Sequence, residues 1–484
     1  MTESKVGLQI SRKSFTSSVI ILLLLMLVAG VLTRVIPAGQ FARVIDDGRE
    51  SIVPGSYQTI GKVDYPIWRW ATAPLEVLWG PDAATVIVII VFLLMIGGSI
   101  AVLEKSGLLM YSMRWLVDRF GQQKYRLMAI LVFFFMLLGA LIGTFEEMIA
   151  LVPLAITLAV SLGWDSLTGL GMSLMAAGFG FAAAISNPFT VGVAQRLAGL
   201  PAFSGVLYRL LVFVIIYALL MTFLRNHAHK VEKDPSSSPV YAEDTPLRAK
   251  FANQSVGLQT EQPELNRAMR SFGFFLALIL VVIGLGFVVP PLADVSLPLV
   301  GLLFLIGALV AGRLSGYASF GAILKDLFKG MVGILPAVLL ILMAMSVKHI
   351  MTSGRTMDTI LFYASERLGG MSPYVAGISI YLLVLFLEFF ISSGSAKAFL
   401  VIPIIAPLVD IVGLTRQSAV LAFTFGDGFS NVFFPTNAAL MIALGLTVVS
   451  YAKWFKWTFK LQLAVFGITL LLLFAAIGFG YGPF

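Results

Sequence analysis

The chain of 484 residues contains no cysteine and only three histidines, and its charged residues make up just 12% of the total. Without cysteine there are no disulfide bonds and no thiol chemistry, although this absence does not identify the compartment. The sequence also has no phosphate-binding loop and no spacing typical of metal ligands. Nothing in it therefore points to a nucleotide-dependent or metal-dependent enzyme.

Apolar residues take the place of the missing charges. They form 59% of the chain, the mean hydropathy is +0.95, and runs of about 20 apolar residues recur from end to end. This pattern predicts an all-α integral membrane protein, because the alternating segments of a membrane β-barrel are absent. The net charge of +8 fits an excess of lysine and arginine on cytoplasmic loops, so we expect no nucleic-acid partner.

The two halves of the chain resemble each other. When residues 143–200 are laid on 393–450 without a gap, proline, glycine and asparagine positions coincide. The coincident pairs are Pro153 with Pro403, Gly163 with Gly413, Gly178 with Gly428, Phe179 with Phe429, and Asn187 with Asn437. Such coincidences predict an internal duplication, which is the usual construction of a secondary transporter.

Two polar stretches, 143–147 (GTFEE) and 393–397 (SGSAK), interrupt long apolar runs. Charges at such a depth are costly unless they face a wet cavity or a partner, so they indicate a functional site. We interpret both stretches as tips of re-entrant hairpins, at 126–162 and 374–413. Two ordinary spans joined by a short link remain an alternative that the charge count does not exclude, but the internal symmetry favours hairpins.

Proline also predicts two interrupted spans. The span 166–200 is broken at Ser186-Asn187-Pro188, and the span 416–449 at Pro435-Thr436-Asn437. Proline removes a backbone donor and disfavours helix in the preceding residue, so each helix should open there.

These elements divide the chain into a first repeat at 1–224, a polar cytoplasmic linker at 225–268 and a connecting helix with the second repeat at 269–484. The linker is rich in charge and poor in large apolar residues, so we expect little fixed structure in it. Residues 38–81 are polar, with a turn at Asp46-Asp47-Gly48 between strand-like runs. The remaining spans are predicted at 15–36, 83–104, 203–224, 271–290, 295–312, 331–349 and 456–480, and amphipathic surface segments at 107–121 and 355–369.

Basic residues suggest the orientation. With the N-terminus in the cytoplasm, 21 of the 33 lysines and arginines fall on inner segments and 10 on outer ones. The connecting helix 271–290 then inverts the second repeat. The first hairpin therefore enters from the cytoplasm, and the second from outside.

The four predicted breaks would expose backbone amides at one helix end and carbonyls at the other. Amide ends attract a carboxylate, and carbonyls with side-chain oxygens suit a sodium ion. The candidate substrate-binding residues are Thr144, Glu146, Glu147, Asn187, Ser392, Ser393, Ser395, Lys397 and Asn437. The candidate ion-coupling residues are Ser186, Asn187, Asp427, Asn431, Thr436 and Asn437, with a sodium ion at Ser186, Asn187, Thr436 and Asn437. Alternatively, the polar residues at the breaks cap the broken helices and touch no ligand.

The duplication is asymmetric in charge, because Glu146 and Glu147 correspond to Ala396 and Lys397. Two carboxylates and one ammonium repel a bare dicarboxylate, whereas an amino acid finds partners for both of its charged groups. In the alternative, Lys397 neutralises one of these glutamates and the other binds a proton. Glu388, below the second tip, is interpreted as a structural or proton-carrying residue.

Two enzyme motifs are only partly present. Ser395 and Lys397 resemble a Ser–Lys dyad, and Asp427 lies in a Gly-Asp-Gly triplet, but the second aspartyl motif of an intramembrane protease is missing. A passive channel does not need paired broken helices with oppositely charged tips. A transporter, not an enzyme, is therefore predicted.

A set of motifs resembles the YfcC family of the ion transporter superfamily, which is labelled C4-dicarboxylate anaerobic carrier and includes arginine–ornithine antiporters. The motifs are VPGSY at 53–57, FEE at 145–147, NPF at 187–189, SSGS at 392–395, FGDGFS at 425–430 and PTN at 435–437. The resemblance implies two inverted repeats, each with a re-entrant hairpin and an interrupted helix, and a homodimer. The tips depart from the Ser-Asn-Thr tips of related sodium–dicarboxylate symporters.

Together, these features predict a multi-pass secondary active transporter of the bacterial inner membrane. Its expected substrates are small and amino-acid-like, with basic ones such as arginine and ornithine favoured, and it works by alternating access. The alternative is a sodium- or proton-coupled C4-dicarboxylate carrier. No cofactor is expected beyond a sodium ion or a proton as coupling ion.

Overall fold

The computed structural model describes residues 12–46, 49–61, 63–143, 145–201, 204–254, 262–289, 292, 295–317 and 319–482. Within these residues, nine helical segments are long and apolar enough to cross a membrane. The α-helices of the first half are α1 Arg12–Val35, α2 Trp68–Glu76, α3 Ala83–Lys105, α4 Leu108–Phe120, α5 Lys124–Leu141, α6 Val152–Ser161, α7 Ser166–Leu170, α8 Ala176–Ala182, α9 Val193–Leu197, α10 Val206–Lys233 and α11 Tyr241–Gln254. Those of the second half are α12 Pro263–Val288, α13 Ser296–Leu314, α14 Phe320–Gly333, α15 Leu335–Ser353, α16 Met357–Leu368, α17 Pro373–Glu388, α18 Gly394–Ile411, α19 Arg416–Gly428, α20 Ala438–Gly445 and α21 Tyr451–Gly478.

The polar segment after α1 contains the predicted short strands. β1 (Gly39–Gln40) pairs antiparallel with β4 (Gln58–Thr59), and β2 (Arg43–Asp46) pairs antiparallel with β3 (Arg49–Ile52). Residues 47 and 48 of the predicted turn lie outside the described residues. The segment is anchored to α16 by the buried Asp358, which accepts a hydrogen bond from the Phe41 amide at 2.9 Å and pairs with Arg43 at 3.0 Å.

Each segment predicted as a hairpin contains a pair of helices. The first consists of α5, a 3₁₀-helix at Glu147–Leu151 and α6, and the second consists of α17 and α18. Gly143 adopts a φ of +78° directly after α5, a conformation that favours glycine and ends the helix. The second tip restarts as a helix because the Ser393 hydroxyl caps it, accepting from the Ala396 amide at 3.4 Å.

Both predicted interruptions are present as well. The first broken helix runs from Ser166 to Ala182, with a π-helical turn at Gly171–Met175, and restarts as a π-turn at Pro188–Gly192 and α9. The second runs through α19 and a 3₁₀-helix at Phe429–Val432, and restarts as α20. The prolines fall in or next to the open stretches, as their missing backbone donor requires.

The two broken helices cross at the glycines that the duplication aligns. A Cβ atom on Gly178 would lie 2.4 Å from Val432, and one on Gly428 would lie 2.3 Å from the Cα atom of Ala182. Since Val432 is the counterpart of Ala182 in the aligned repeats, the contact is reciprocal. Residue numbers rise along one helix as they fall along the other, so the helices are antiparallel here, as expected for inverted repeats.

The bases of the hairpins contact opposite ends of α10. Near its start, Arg209 donates to the Tyr481 hydroxyl at 3.2 Å, and the Tyr481 carbonyl accepts from Thr415, which follows the second hairpin. Near its end, His227 lies 2.8 Å from Asp165, which follows the first hairpin. The rise of an α-helix places Arg209 and His227 about 27 Å apart. The bases of the two segments therefore lie toward opposite ends of α10.

The prediction of little fixed structure in the linker is wrong for residues 225–254. Helix α10 continues to Lys233, and α11 is docked by the buried Asp244, which accepts from the Ser166 amide at 2.8 Å. Burial raises the pKa of Asp244 to about 6, although its hydrogen bonds to Ser166 oppose the shift. The prediction relied on the low apolar content of the linker. It failed because hydrogen bonds of polar side chains, rather than apolar packing, hold this segment in place.

The inversion can be tested with single cysteines, since the chain has none. Gln122→Cys, at the base of the first hairpin, should react with an impermeant thiol reagent from the cytoplasmic side only. Arg367→Cys, before the second hairpin, should react from the outer side only. Both side chains are exposed. Labelling of the two positions from one and the same side contradicts the inverted arrangement.

The close crossing of the broken helices predicts that any side chain at Gly428 destabilises the fold. Gly428→Ala forces a methyl group against the Ala182 backbone, and overpacking of this kind costs about 1–3 kcal/mol. We expect a lower midpoint of thermal unfolding and slower transport. Gly467→Ala in α21 is the matched control, because nothing lies within 4 Å of a Cβ there. Equal unfolding midpoints for the two variants contradict the close approach.

Candidate substrate site at the hairpin tips

The first tip and the first break form one unit. The amides of Ile185 and Ser186 donate to the Ala140 carbonyl at 2.9 and 3.0 Å, and the Ser186 hydroxyl donates to the Leu141 carbonyl at 3.3 Å. A Cβ atom on Gly143 would lie 2.3 Å from the Oδ1 atom of Asn187, so only glycine permits this approach. The end of α5 is thus bonded to the opened stretch of the first broken helix.

The two glutamates of the first tip have different surroundings. The Glu146 side chain is exposed, whereas Glu147 is half-buried and accepts a hydrogen bond from the Ser296 hydroxyl at the start of α13. Ser296 was missed from the sequence, because no local pattern links it to residues 149 positions away. Thr144 lies outside the described residues.

Lys397 lies in a buried cluster with two carboxylates. Its side chain is 0% exposed, and its ammonium nitrogen lies 2.8 Å from Asp427 and also contacts Glu388. Both carboxylates are buried too, at 0% and 1% exposure of the residues. The alternative in which Lys397 neutralises Glu146 or Glu147 is therefore wrong, because its ammonium is already paired with these other acids. The pairing supports the structural interpretation of Glu388.

The second tip lies between the two broken helices. A Cβ atom on Gly394 would lie 2.7 Å from Thr190 of the first broken helix and 2.9 Å from Asp427 of the second. Ser393 is exposed, and its neighbours Ser392 and Ser395 are half-buried. Three hydroxyls therefore surround the first turn of α18.

The two asparagines cap the restarted halves of the broken helices. The Oδ1 atom of Asn187 accepts from the Phe189 amide at 2.9 Å, and that of Asn437 accepts from the Leu440 amide at 3.2 Å. The Asn437 amide also donates to the Oδ1 atom of Asn431 at 2.5 Å. Both asparagines therefore have the geometry that the capping alternative predicts.

The four sodium candidates are divided between the two breaks. Ser186 and Asn187 contact the first tip, whereas Thr436 and Asn437 belong to the second break. The Thr436 hydroxyl is buried and has no hydrogen-bond partner among the described residues. Within those residues there is also no group of three histidines or acids placed to hold a metal ion. Any ion here would depend on carbonyl, hydroxyl and amide oxygens.

Helix ends supply the remaining electrostatics. Ser393 and Asn437 cap the starts of α18 and α20, so the N-terminal amides of these helices lie at the second tip and the second break, where they favour negative charge. The charged side chains of the tips and of the buried cluster are Glu146, Glu147, Glu388, Asp427 and Lys397, and the Arg209 guanidinium donates to the Ile185 carbonyl at the first break. The site therefore combines an excess of carboxylates with helix N-termini that attract an anion.

The chain matches, over residues 15–478, the model of a family described as C4-dicarboxylate anaerobic carrier. It is 31% identical over 398 residues to YfcC of Escherichia coli (strain K12), provisionally named a basic amino acid antiporter, with 78% of this chain and 75% of that protein covered. An uncharacterized protein of Haemophilus influenzae (strain ATCC 51907 / DSM 11121 / KW20 / Rd) is 24% identical over 407 residues, covering 84% and 77%. The crystal structure of the YdaH transporter of Alcanivorax borkumensis aligns over 97% of this chain and 99% of its own, with 20% identity and a TM-score of 0.42.

The caps lead to a prediction for Asn437. Asn437→Ala removes the acceptor at the start of α20, which should cost about 0.5–2 kcal/mol of stability. Asn437→Ser keeps a side-chain oxygen that can cap α20 and adds no buried charge, so its unfolding midpoint should stay closer to that of the wild type. In Asn437→Ala, the transport rate should fall by more than the loss of folded protein explains. We expect the same loss of transport in Asn187→Ala. Unchanged transport in both alanine variants would leave the asparagines with capping alone.

Proposed function

The chain belongs to the C4-dicarboxylate anaerobic carrier family, and from this premise we propose that it carries small amino-acid-like substrates, with basic ones such as arginine and ornithine favoured. Membership confirms the resemblance drawn from the motifs. It also confirms that the chain is a secondary transporter and a multi-pass membrane protein, and not an enzyme. The substrate, the coupling and the assembly are the proposed part.

The charge of the centre is the observation that carries the proposal. Glu146 is exposed at the first tip, and Glu147 lies beside it. Among the described residues, the Lys397 ammonium is buried and already paired with Glu388 and Asp427, and the Arg209 guanidinium donates to the Ile185 carbonyl beside the first break. A guanidinium or ammonium group on the substrate side chain therefore has a carboxylate partner in Glu146, whereas the carboxylates of a dicarboxylate meet cations that are already engaged.

The substrate's own carboxylate needs a different partner from the one that the sequence suggested. Lys397 is sealed from solvent, so we assign the carboxylate to the backbone amides at the starts of α18 and α20, next to Ser393 and Asn437. The α-amino group then lies between this end and the glutamates. The provisional name of YfcC as a basic amino acid antiporter supports the same substrate class.

A C4-dicarboxylate is the second candidate, and the family description favours it. The same helix N-termini would hold one of its carboxylates. The other would meet Glu146, so binding would require protonation or a coupling cation. The repulsion makes this candidate the weaker of the two.

The remaining parts of the proposal concern the membrane. The N-terminus lies in the cytoplasm, the hairpins of the repeats 1–224 and 269–484 are re-entrant, and two copies of the chain form a homodimer. The coupling ion is sodium or a proton, or coupling consists of the exchange of one substrate for another. Alternating access carries the site between the two faces of the membrane.

Uptake into proteoliposomes tests the substrate. Labelled arginine, ornithine, aspartate and succinate are compared in vesicles with and without internal unlabelled arginine. We expect exchange of arginine and ornithine, and little succinate uptake. Uptake of succinate but not of arginine by the wild-type protein contradicts the proposal.

Glu146→Gln sharpens the test. Loss of one charged hydrogen bond is worth about 1.5–3 kcal/mol, so arginine affinity should fall by about tenfold to a hundredfold. Succinate binding should be unchanged or improved, because one repulsive charge has gone. Glu366→Gln on α16, whose side chain is exposed, is the matched control and should leave both ligands unaffected. Equal losses for arginine and succinate contradict a role of Glu146 in charge selection.

A further inference from the structure

We propose that the buried cluster of Lys397, Glu388 and Asp427 is the coupling-cation site of this transporter, and that the chain fills it with its own ammonium group instead of a sodium ion. The proposal rests on the transport function proposed above, and it deepens the question of coupling. Its consequence is that substrate exchange needs no sodium.

The cluster joins the elements that form the second half of the site. Glu388 is the last residue of α17, Lys397 lies in the first turns of α18, and Asp427 lies near the end of α19. The ammonium nitrogen contacts both carboxylates, with a distance of 2.8 Å to Asp427. One cation therefore ties both arms of the second hairpin to the second broken helix, as a bound coupling ion would do.

The oxygens around this point also suit a hard cation. The Oε1 atom of Glu388, the Oδ2 atom of Asp427 and the hydroxyl of Thr190 are buried and have no hydrogen-bond partner among the described residues. The methyl carbon of Thr190 and the Oδ2 atom of Asp427 both lie within 3 Å of the position of a Cβ atom on Gly394, so Thr190 is a neighbour of the cluster. Carboxylate and hydroxyl oxygens are the ligands that alkali and alkaline-earth ions prefer. The Lys397 ammonium occupies the position between the two carboxylates, in contact with both.

The net charge of the cluster is consistent with the Lys397 ammonium acting as its cation. Two carboxylates and one ammonium leave one negative charge, which is costly away from water. One proton shared by the two carboxyls makes the cluster neutral. The titratable groups that meet here, within the described part of the chain, are Glu388 from α17, Lys397 from α18 and Asp427 from α19. A neutral, sealed cluster leaves no net charge for a sodium ion to balance.

Salt replacement tests the wild-type protein first. Arginine exchange in proteoliposomes, and the thermal unfolding midpoint in detergent, should be the same in sodium chloride and in choline chloride of equal concentration. A sodium-specific rise in either quantity for the wild type overturns the proposal. The unfolding measurement needs no substrate, so it decides about the cluster even if arginine proves not to be transported.

Removing the ammonium should create a sodium site. Lys397→Ala leaves two carboxylates facing an empty volume, so its unfolding midpoint in choline chloride should fall by about 10 °C. Sodium chloride should restore much of that loss, and arginine exchange should become sodium-dependent. A variant that folds only in sodium chloride gives the same support. Equal midpoints in the two salts overturn the proposal.

Two control variants separate the effect of the buried carboxylates from a general response to salt. Glu388→Gln with Lys397→Ala lacks one of the carboxylates, so it should be less destabilised in choline chloride and should gain less from sodium. Lys329→Ala removes an exposed lysine of α14 and should show no salt-specific change. A sodium effect of equal size in the Lys329 variant would mean a general salt response and would overturn the proposal.

Discussion

The close crossing of the two broken helices is the contact on which the rest of the structure depends. Helices in a membrane gain little from burying apolar surface against each other, so association relies on packing between small residues. Gly178 and Gly428 provide that packing, and the rings of Phe179 and Phe429 meet beside them at a centroid distance of 5.3 Å. Because each tip contacts a broken helix, this single crossing also positions both hairpins.

The sequence predicted this architecture well where a residue type has only one structural use. Proline and asparagine marked both interruptions, and the aligned glycines proved to be the contact between the repeats. The seven spans predicted without an interruption also coincide with helices of the structure, because the thickness of the hydrocarbon layer limits their length. Partners far away in the chain escaped prediction. Ser296 beside Glu147, and Asp244 beside Ser166, depend on packing that no local pattern encodes.

The surroundings of Lys397 could not be predicted from the alignment of the two halves of the chain. Symmetry relates Glu147 to Lys397 as positions, but it does not require their side chains to share surroundings. Helical side chains point back toward the N-terminus of their own helix, which directs Lys397 toward the end of α17 and Glu388. The first segment thus carries an exposed carboxylate at its tip, and the second carries a buried ammonium paired with two carboxylates behind its tip.

The helical stretches on the two sides of an interruption differ in length. The stretch Ser166–Ala182 spans about 26 Å, whereas residues 188–197 span about 15 Å and Ala438–Gly445 about 12 Å. Each face of the molecule is therefore separated from one opened stretch by only two or three helical turns. The opened stretches, beside which the substrate is proposed to bind, are therefore separated from the two faces by short helices rather than by full membrane spans.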